Sequence, residues 1–191
     1  MPRLTQLTMT EAPEKSRARG DRIGAADPQC DDERVQRCPG CGAPALPIPC
    51  DELFERLLAL DHSRQAPWGP LHGVAVACFL LQHPSREPVS ARPVRWALLH
   101  AFLRGGQAEV AALTQRARRL NSHRSGGQSP RVDAFPGAPA FPDSEPPTTF
   151  GTTIADVAGD GDFPAEHYAD SVRTWAADTI EAWQARPGDQ G

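Results

Sequence analysis

Cys38 and Cys41 stand two residues apart in the run Cys-Pro-Gly-Cys-Gly, and Cys50 follows after eight intervening residues. Two thiolates at this spacing in a glycine-containing turn reach one zinc ion, because glycine permits the tight loop and backbone amides stabilise the sulfur charge. Cys50 immediately precedes a stretch with helical character, and a helix N-terminus favours a thiolate. Three of the four ligands of a tetrahedral site are therefore in place. The tight spacing of the five cysteines suits metal ligation in a reducing compartment better than a disulfide framework.

The fourth ligand follows from helix geometry. His62 lies 12 residues beyond Cys50, about 18 Å along a continuous helix, and cannot close the same site. His72 opens the next helical segment, which in an antiparallel hairpin is again the remote end. His83 closes that segment and returns to the level of Cys50. The expected metal ligands are Cys38, Cys41, Cys50 and His83, with His72 in reserve and Cys30 a weaker reserve. Cys78, midway along an apolar helix, reads as a small core residue. A closed site of three cysteines and one histidine is structural; if His83 is not a ligand, a bound water could take the fourth position and the zinc could be catalytic.

If His83 goes to the metal, His72 remains near Asp61 and His62 at the other end of the hairpin. His72 and Asp61 are the candidates for acid–base catalysis, against a plain structural hydrogen bond. Asp156, Asp160 and Asp162 around Gly159 and Gly161 do not have calcium-loop spacing and read as a turn and the N-cap of the last helix. His100, His123 and His167 have no ligand-spaced neighbour. There is no phosphate loop, dinucleotide fingerprint or nucleophile elbow.

These residues need helices to hold them. Asp51 to Leu60 is amphipathic, with Leu53, Phe54, Leu57 and Leu58 on its apolar side. Pro70 suits the first turn of a second helix ending before Pro84, whose stretch Val74 to Leu81 is apolar almost all round and so central. A third helix is expected from Pro93 to the Gly105-Gly106 pair, and a fourth from Gln107 to Leu120. A last helix from about Pro164 to Trp183 carries Tyr168, Val172, Trp175, Ala176, Thr179, Ile180 and Trp183 on one face, a stripe expected to pack on the hydrophobic face of helices two to four, with an intermolecular partner as the alternative. The expected fold is all-α, a small bundle of about five helices with a cysteine-rich zinc loop and a long Pro/Gly-rich strap before the last helix. Residues 1–37 read as a disordered tail, 38–185 as a single zinc-stabilised domain with the strap at 125–149, and 186–191 as a C-terminal tail. Phe135 and Phe141 in the strap are expected to dock on the parent domain.

The chain has 191 residues, of which 39% are hydrophobic, enough for one modest core. Twenty Pro and 16 Gly exclude much of it from regular structure. Residues 86–124 carry eight Arg against two Glu, +6, whereas 133–191 carry two Arg against eleven acids, −9. The tail can neutralise the middle internally, so nucleic-acid binding through Arg116, Arg118, Arg119 and Arg124 ranks below the other readings. No apolar run approaches the ~20 residues that span a bilayer, and the N-terminus lacks a signal pattern, so a cytoplasmic location is expected.

Cys38-Pro-Gly-Cys-Gly, Cys50, the segment from Leu71-His72 to Gln82-His83-Pro84, Thr153-Ile-Ala-Asp-Val157 and the helix from Trp175 to Trp183 together resemble a bacterial family catalogued as domain of unknown function 5946. The resemblance covers roughly residues 38–185, with Cys78 where an aromatic residue is expected. It implies the same cysteine and histidine positions and transfers no reaction. The function expected from the whole sequence is a zinc-binding accessory or interaction protein, met by a protein partner through its C-terminal aromatic helix. The alternative is a metal-dependent, hydrolase-like enzyme of specialised metabolism using the zinc or His72.

Overall fold

The computed structural model describes residues 37–44, 47–121 and 137–185. Cys30, His123, Arg124, Phe135, the first half of the strap and residues 186–191 lie outside the described residues, as does the expected tail apart from Arg37. Among the described residues there are five helices and no β-strand, with one isolated antiparallel bridge between Arg37 and Pro44. The all-α expectation is met.

Helix α1 runs Cys50–His62 and α2 runs Trp68–Gln82. Each begins just after a proline, Pro49 and Pro67, which precedes the helix without a side-chain cap. Leu53 and Leu57 of α1 are buried, one turn apart, and α1 packs against α2. In α2 Leu71, Val74, Ala75, Ala77, Cys78, Phe79, Leu81 and Gln82 are all buried, consistent with packing on three sides, by α1, α3 and α5. Cys78 is fully enclosed, as expected of a core cysteine.

The third and fourth expected helices are both present, divided at the expected glycine pair. They are the two arms of α3, Arg92–Asn121, which meet at the Gly105-Gly106 pair, where Gly106 leaves helical geometry with φ 65° and ψ −157°. A β-carbon there would be strained, so glycine permits the kink at which one helical arm gives way to the next. The first arm supplies Trp96, Ala97, Leu98, Leu99 and Phe102 to the core, and the second arm buries Leu113.

A short helix not expected from the sequence, α4, spans Ile154–Ala158. The N–H of Thr153 donates to Asp156 Oδ2 at 2.7 Å in a capping box. Asp156 therefore caps α4 rather than the last helix, whose N-cap is His167, while Asp160 and Asp162 lie exposed in the following turn. Helix α5, Tyr168–Gln184, starts four residues later than expected. Its buried residues are Tyr168, Val172, Trp175, Ala176, Thr179, Ile180 and Trp183, the stripe read from the sequence. That stripe is buried within the chain's own core, together with Phe79, Trp96 and Phe163.

The described half of the strap is extended and docked. Phe141 meets Trp96 edge-on with ring centres 5.7 Å apart, and Trp183 at 4.9 Å. Farther on, Gln82 Nε2 donates to Thr152 O at 2.8 Å and to Thr179 Oγ1 at 2.9 Å, and Trp183 Nε1 donates to Leu81 O at 3.1 Å. These bonds tie the end of α2 to the segment that follows the strap and to α5, directly before His83.

Candidate metal centre

Residues 37–44 form a tight turn: the N–H of Cys38 donates to Ala43 O at 2.8 Å and the N–H of Gly42 to Cys38 O at 2.9 Å. Gly42 sits at φ 73°, and Arg37 Nη1 donates to its carbonyl at 2.9 Å. Arg37, placed at the edge of the tail on sequence grounds, is thus part of the turn. The other glycine makes a close approach. A β-carbon on Gly40 would stand 2.7 Å from His83 Cδ2, so only glycine lets the turn press against the imidazole.

The sulfur atoms of Cys38, Cys41 and Cys50 and a ring nitrogen of His83 all lie within 4.8 Å of one another. Cys41 Sγ and Cys50 Sγ are 3.7 Å apart, and Cys38 Sγ lies 3.5 Å from His83 Nε2. A sulfur–sulfur bond needs about 2.05 Å, so the first pair is no disulfide. A tetrahedral zinc with Zn–S of about 2.3 Å and Zn–N of about 2.05 Å has S···S edges of about 3.8 Å and S···N edges of about 3.6 Å. The two separations fit those edges, and the donor set suits a borderline-soft divalent ion.

His83 is prepared for ligation by its place at the end of α2. Its Nδ1 donates to Phe79 O at 2.8 Å, one turn back, which leaves Nε2 as the free lone pair facing the sulfurs. The ring also stacks on Phe79 at 4.1 Å, and Phe79 on Phe54 of α1 at 3.8 Å. Burial alone would lower the His83 pKa, but hydrogen bonds to Cys41 and the Phe79 carbonyl outweigh it and raise it. The Cys41 thiol is pulled down to about 4, first by the hydrogen bond from Cys50 and then by His83 and the Ala43 amide, against its burial. The Cys50 thiol is pushed up, first by its hydrogen bond to Cys41 and then by burial.

Cys41 is fully buried and His83 nearly so, while Cys38 and Cys50 are half-buried. The half-buried pair borders a cleft of about 370 Å³ that also touches Arg37, Arg86, Ile48 and His83. Arg86 is ion-paired with Asp51 in the first turn of α1. Neither arginine was singled out by the sequence; the signal available was their position, one directly before Cys38 and the other three residues after His83.

His72 is not at this centre. Its Nδ1 bonds Asp61 Oδ2 at 2.8 Å at the far end of the α1–α2 hairpin, where both line a second cleft with His62 and Arg64. The Asp61 carboxylate is buried with Oδ1 lacking a hydrogen-bond partner, and the His72 side chain is 52% exposed. Desolvation raises the Asp61 pKa, partly offset by His72. A raised carboxylate pKa means the folded chain holds the proton longer than the unfolded one, so stability falls as pH rises from about 3.9 through the folded value. Asp61→Asn, which can still accept from His72, is expected to flatten that slope and gain stability relative to the parent between acidic and neutral pH; denaturation midpoints of both proteins across that range check it.

The family model described as a family of unknown function, DUF5946, matches residues 36–184. The chain belongs to this family. No curated protein and no solved structure matches the chain. The DUF5946 match takes in all four clustered donors, both hairpin helices, the strap and α5, and it begins before Arg37, in accord with that residue's place in the turn. Among the described residues of this DUF5946 chain, no helix is long and apolar enough to cross a membrane.

Proposed function

We propose that Cys38, Cys41, Cys50 and His83 bind one zinc ion in a closed tetrahedral site, and that this zinc fastens the 37–50 loop to α1 and α2 in a cytoplasmic accessory protein that works by binding a protein partner. The observation that carries the metal reading is the spacing of the donors, 3.7 Å between two sulfurs and 3.5 Å between sulfur and nitrogen. The fixed tautomer of His83 supports it, since a ligating histidine commonly donates its other ring N–H to a carbonyl. With the aromatic stripe of α5 buried, a partner would meet the polar outer face of that helix, where Arg173, Thr174 and Glu181 are exposed. Metal analysis of protein purified without added metal should give one zinc per chain, and X-ray absorption should give three sulfurs and one nitrogen with no bound water. Two oxygen or nitrogen scatterers, or a stoichiometry near zero, would sink the proposal.

A second reading, a hydrolase-like enzyme with His72 as base, is favoured by the buried Asp61 held 2.8 Å from an exposed imidazole. It needs no metal at the dyad, which lines a different cleft from the four donors. Ester hydrolysis that survives His72→Ala would remove it. Nucleic-acid binding rests on Arg116 and Arg119, both exposed on α3, with Arg118's side chain and Arg124 outside the described residues; absence of a mobility shift at low salt would dispose of it.

A further inference from the structure

The geometry points to a reaction site at sulfur: the cleft beside the metal centre takes a small anionic carbon electrophile, and the thiolate of Cys38 or Cys50 accepts its alkyl group. This rests on the zinc proposal above. Three observations carry it. The sulfurs are unequally covered, with Cys41 fully buried and Cys38 and Cys50 both bordering the cleft. The cleft, about 370 Å³, is in the range of small-molecule sites and has an apolar side from Ile48, Pro44 and Pro49. Finally, two guanidinium groups border the cleft: Arg86 is ion-paired with Asp51, and Arg37, bonded to the Gly42 carbonyl, adds a positive charge that this pair does not cancel.

The chemistry follows from the donor set. A closed site leaves no coordination position for a visitor, so what a molecule in the cleft meets is sulfur. Coordinated thiols are deprotonated, and thiolate is the nucleophilic form. Three thiolates on a dication leave one net negative charge, which favours donation from sulfur but repels an anion. Arg37 offsets that repulsion, and the Arg86 guanidinium, shared with Asp51, offers a second donor to an electrophile bearing a carboxylate or phosphate. In the reaction the sulfur lone pair forms an S–C bond, the bond from carbon to the leaving group breaks, and the leaving group departs with that electron pair. No proton and no redox partner is required.

Iodoacetate and iodoacetamide serve as probes, being anionic and neutral forms of one alkylating group. Zinc-loaded protein, its metal content measured first, is treated with each, and peptide mapping by mass spectrometry assigns the adducts, with glutathione as reference thiol. Adducts are expected on Cys38 or Cys50 while Cys41 and Cys78 stay unmodified. The ratio of iodoacetate to iodoacetamide rates should exceed that of glutathione about fivefold or more, and should fall to the glutathione ratio in Arg37→Gln/Arg86→Gln, as expected for local charge steering. One zinc per chain with unreactive Cys38 and Cys50, a ratio unchanged by the double substitution, or Cys41 reacting alongside the other two overturns this inference and leaves the zinc proposal standing. Absence of zinc overturns both.

Discussion

Replacing Cys41 by Ser is expected to abolish stoichiometric metal binding and to destabilise the protein by about 4 kcal/mol or more, since loss of a structural metal is among the few single changes with effects that large. For a chain of this size that is a fall in Tm of roughly 8–16 °C. Cys41 is the sulfur to choose because it is fully buried and lies 3.7 Å from Cys50 and within reach of His83. A hydroxyl in its place ligates zinc poorly and leaves two remaining sulfurs without a counter-ion. Treatment of the parent protein with a strong chelator should reproduce the same shift. Cys78→Ala is the control: it removes an equally buried sulfur from the middle of α2, should cost about 1–2 kcal/mol as a small cavity, and should leave metal content unchanged. A parent Tm indifferent to chelator would show that the loop holds without metal.

Trp183→Ala should have the second large effect, about 4–6 kcal/mol. Truncating a buried Trp costs about 3–5 kcal/mol, and leaving the Leu81 carbonyl without its donor adds about 1 kcal/mol. Trp183 is also one of the two rings on which Phe141 of the strap rests. The same substitution should therefore loosen the strap, which limited proteolysis between residues 137 and 150 would report as faster cleavage. Trp183→Phe keeps most of the apolar contact and loses the bond to Leu81, so it should cost about 1–2 kcal/mol. Denaturant midpoints at an unchanged m-value separate these losses from a change in the unfolded state.

Much of the centre was legible in the sequence because it depends on lengths that hydrophobic periodicity fixes. Once α1 and α2 are antiparallel, a histidine at the end of α2 is the one that returns to Cys50, and His83 occupies that position. The same reasoning placed His72 beside Asp61. The stripe of α5 was legible for a similar reason, since seventeen residues are long enough for a 3.6-residue period to declare itself. Helix α4 was not, because five residues are little more than one turn and its one local signal, Thr153 three residues before Asp156, was overshadowed by the acidic turn after it. Gly105-Gly106 was legible as a boundary between two helices, because a glycine pair is where a left-handed residue such as Gly106 can sit. Arg37 was missed because its role is to bond a carbonyl of the turn, which composition cannot reveal.

The close approach at Gly42 has a consequence in time. A β-carbon there would lie 2.7 Å from Thr148 O, so the strap runs directly over the cysteine turn. Thr148 is made roughly 65 residues after His83, on the order of 3–13 s later at ordinary translation rates. All four donors thus leave the ribosome well before the segment that packs on the cysteine turn. A nascent chain therefore has an interval in which the cysteine turn stands without its strap contact, and the arrival of Thr148 ends it.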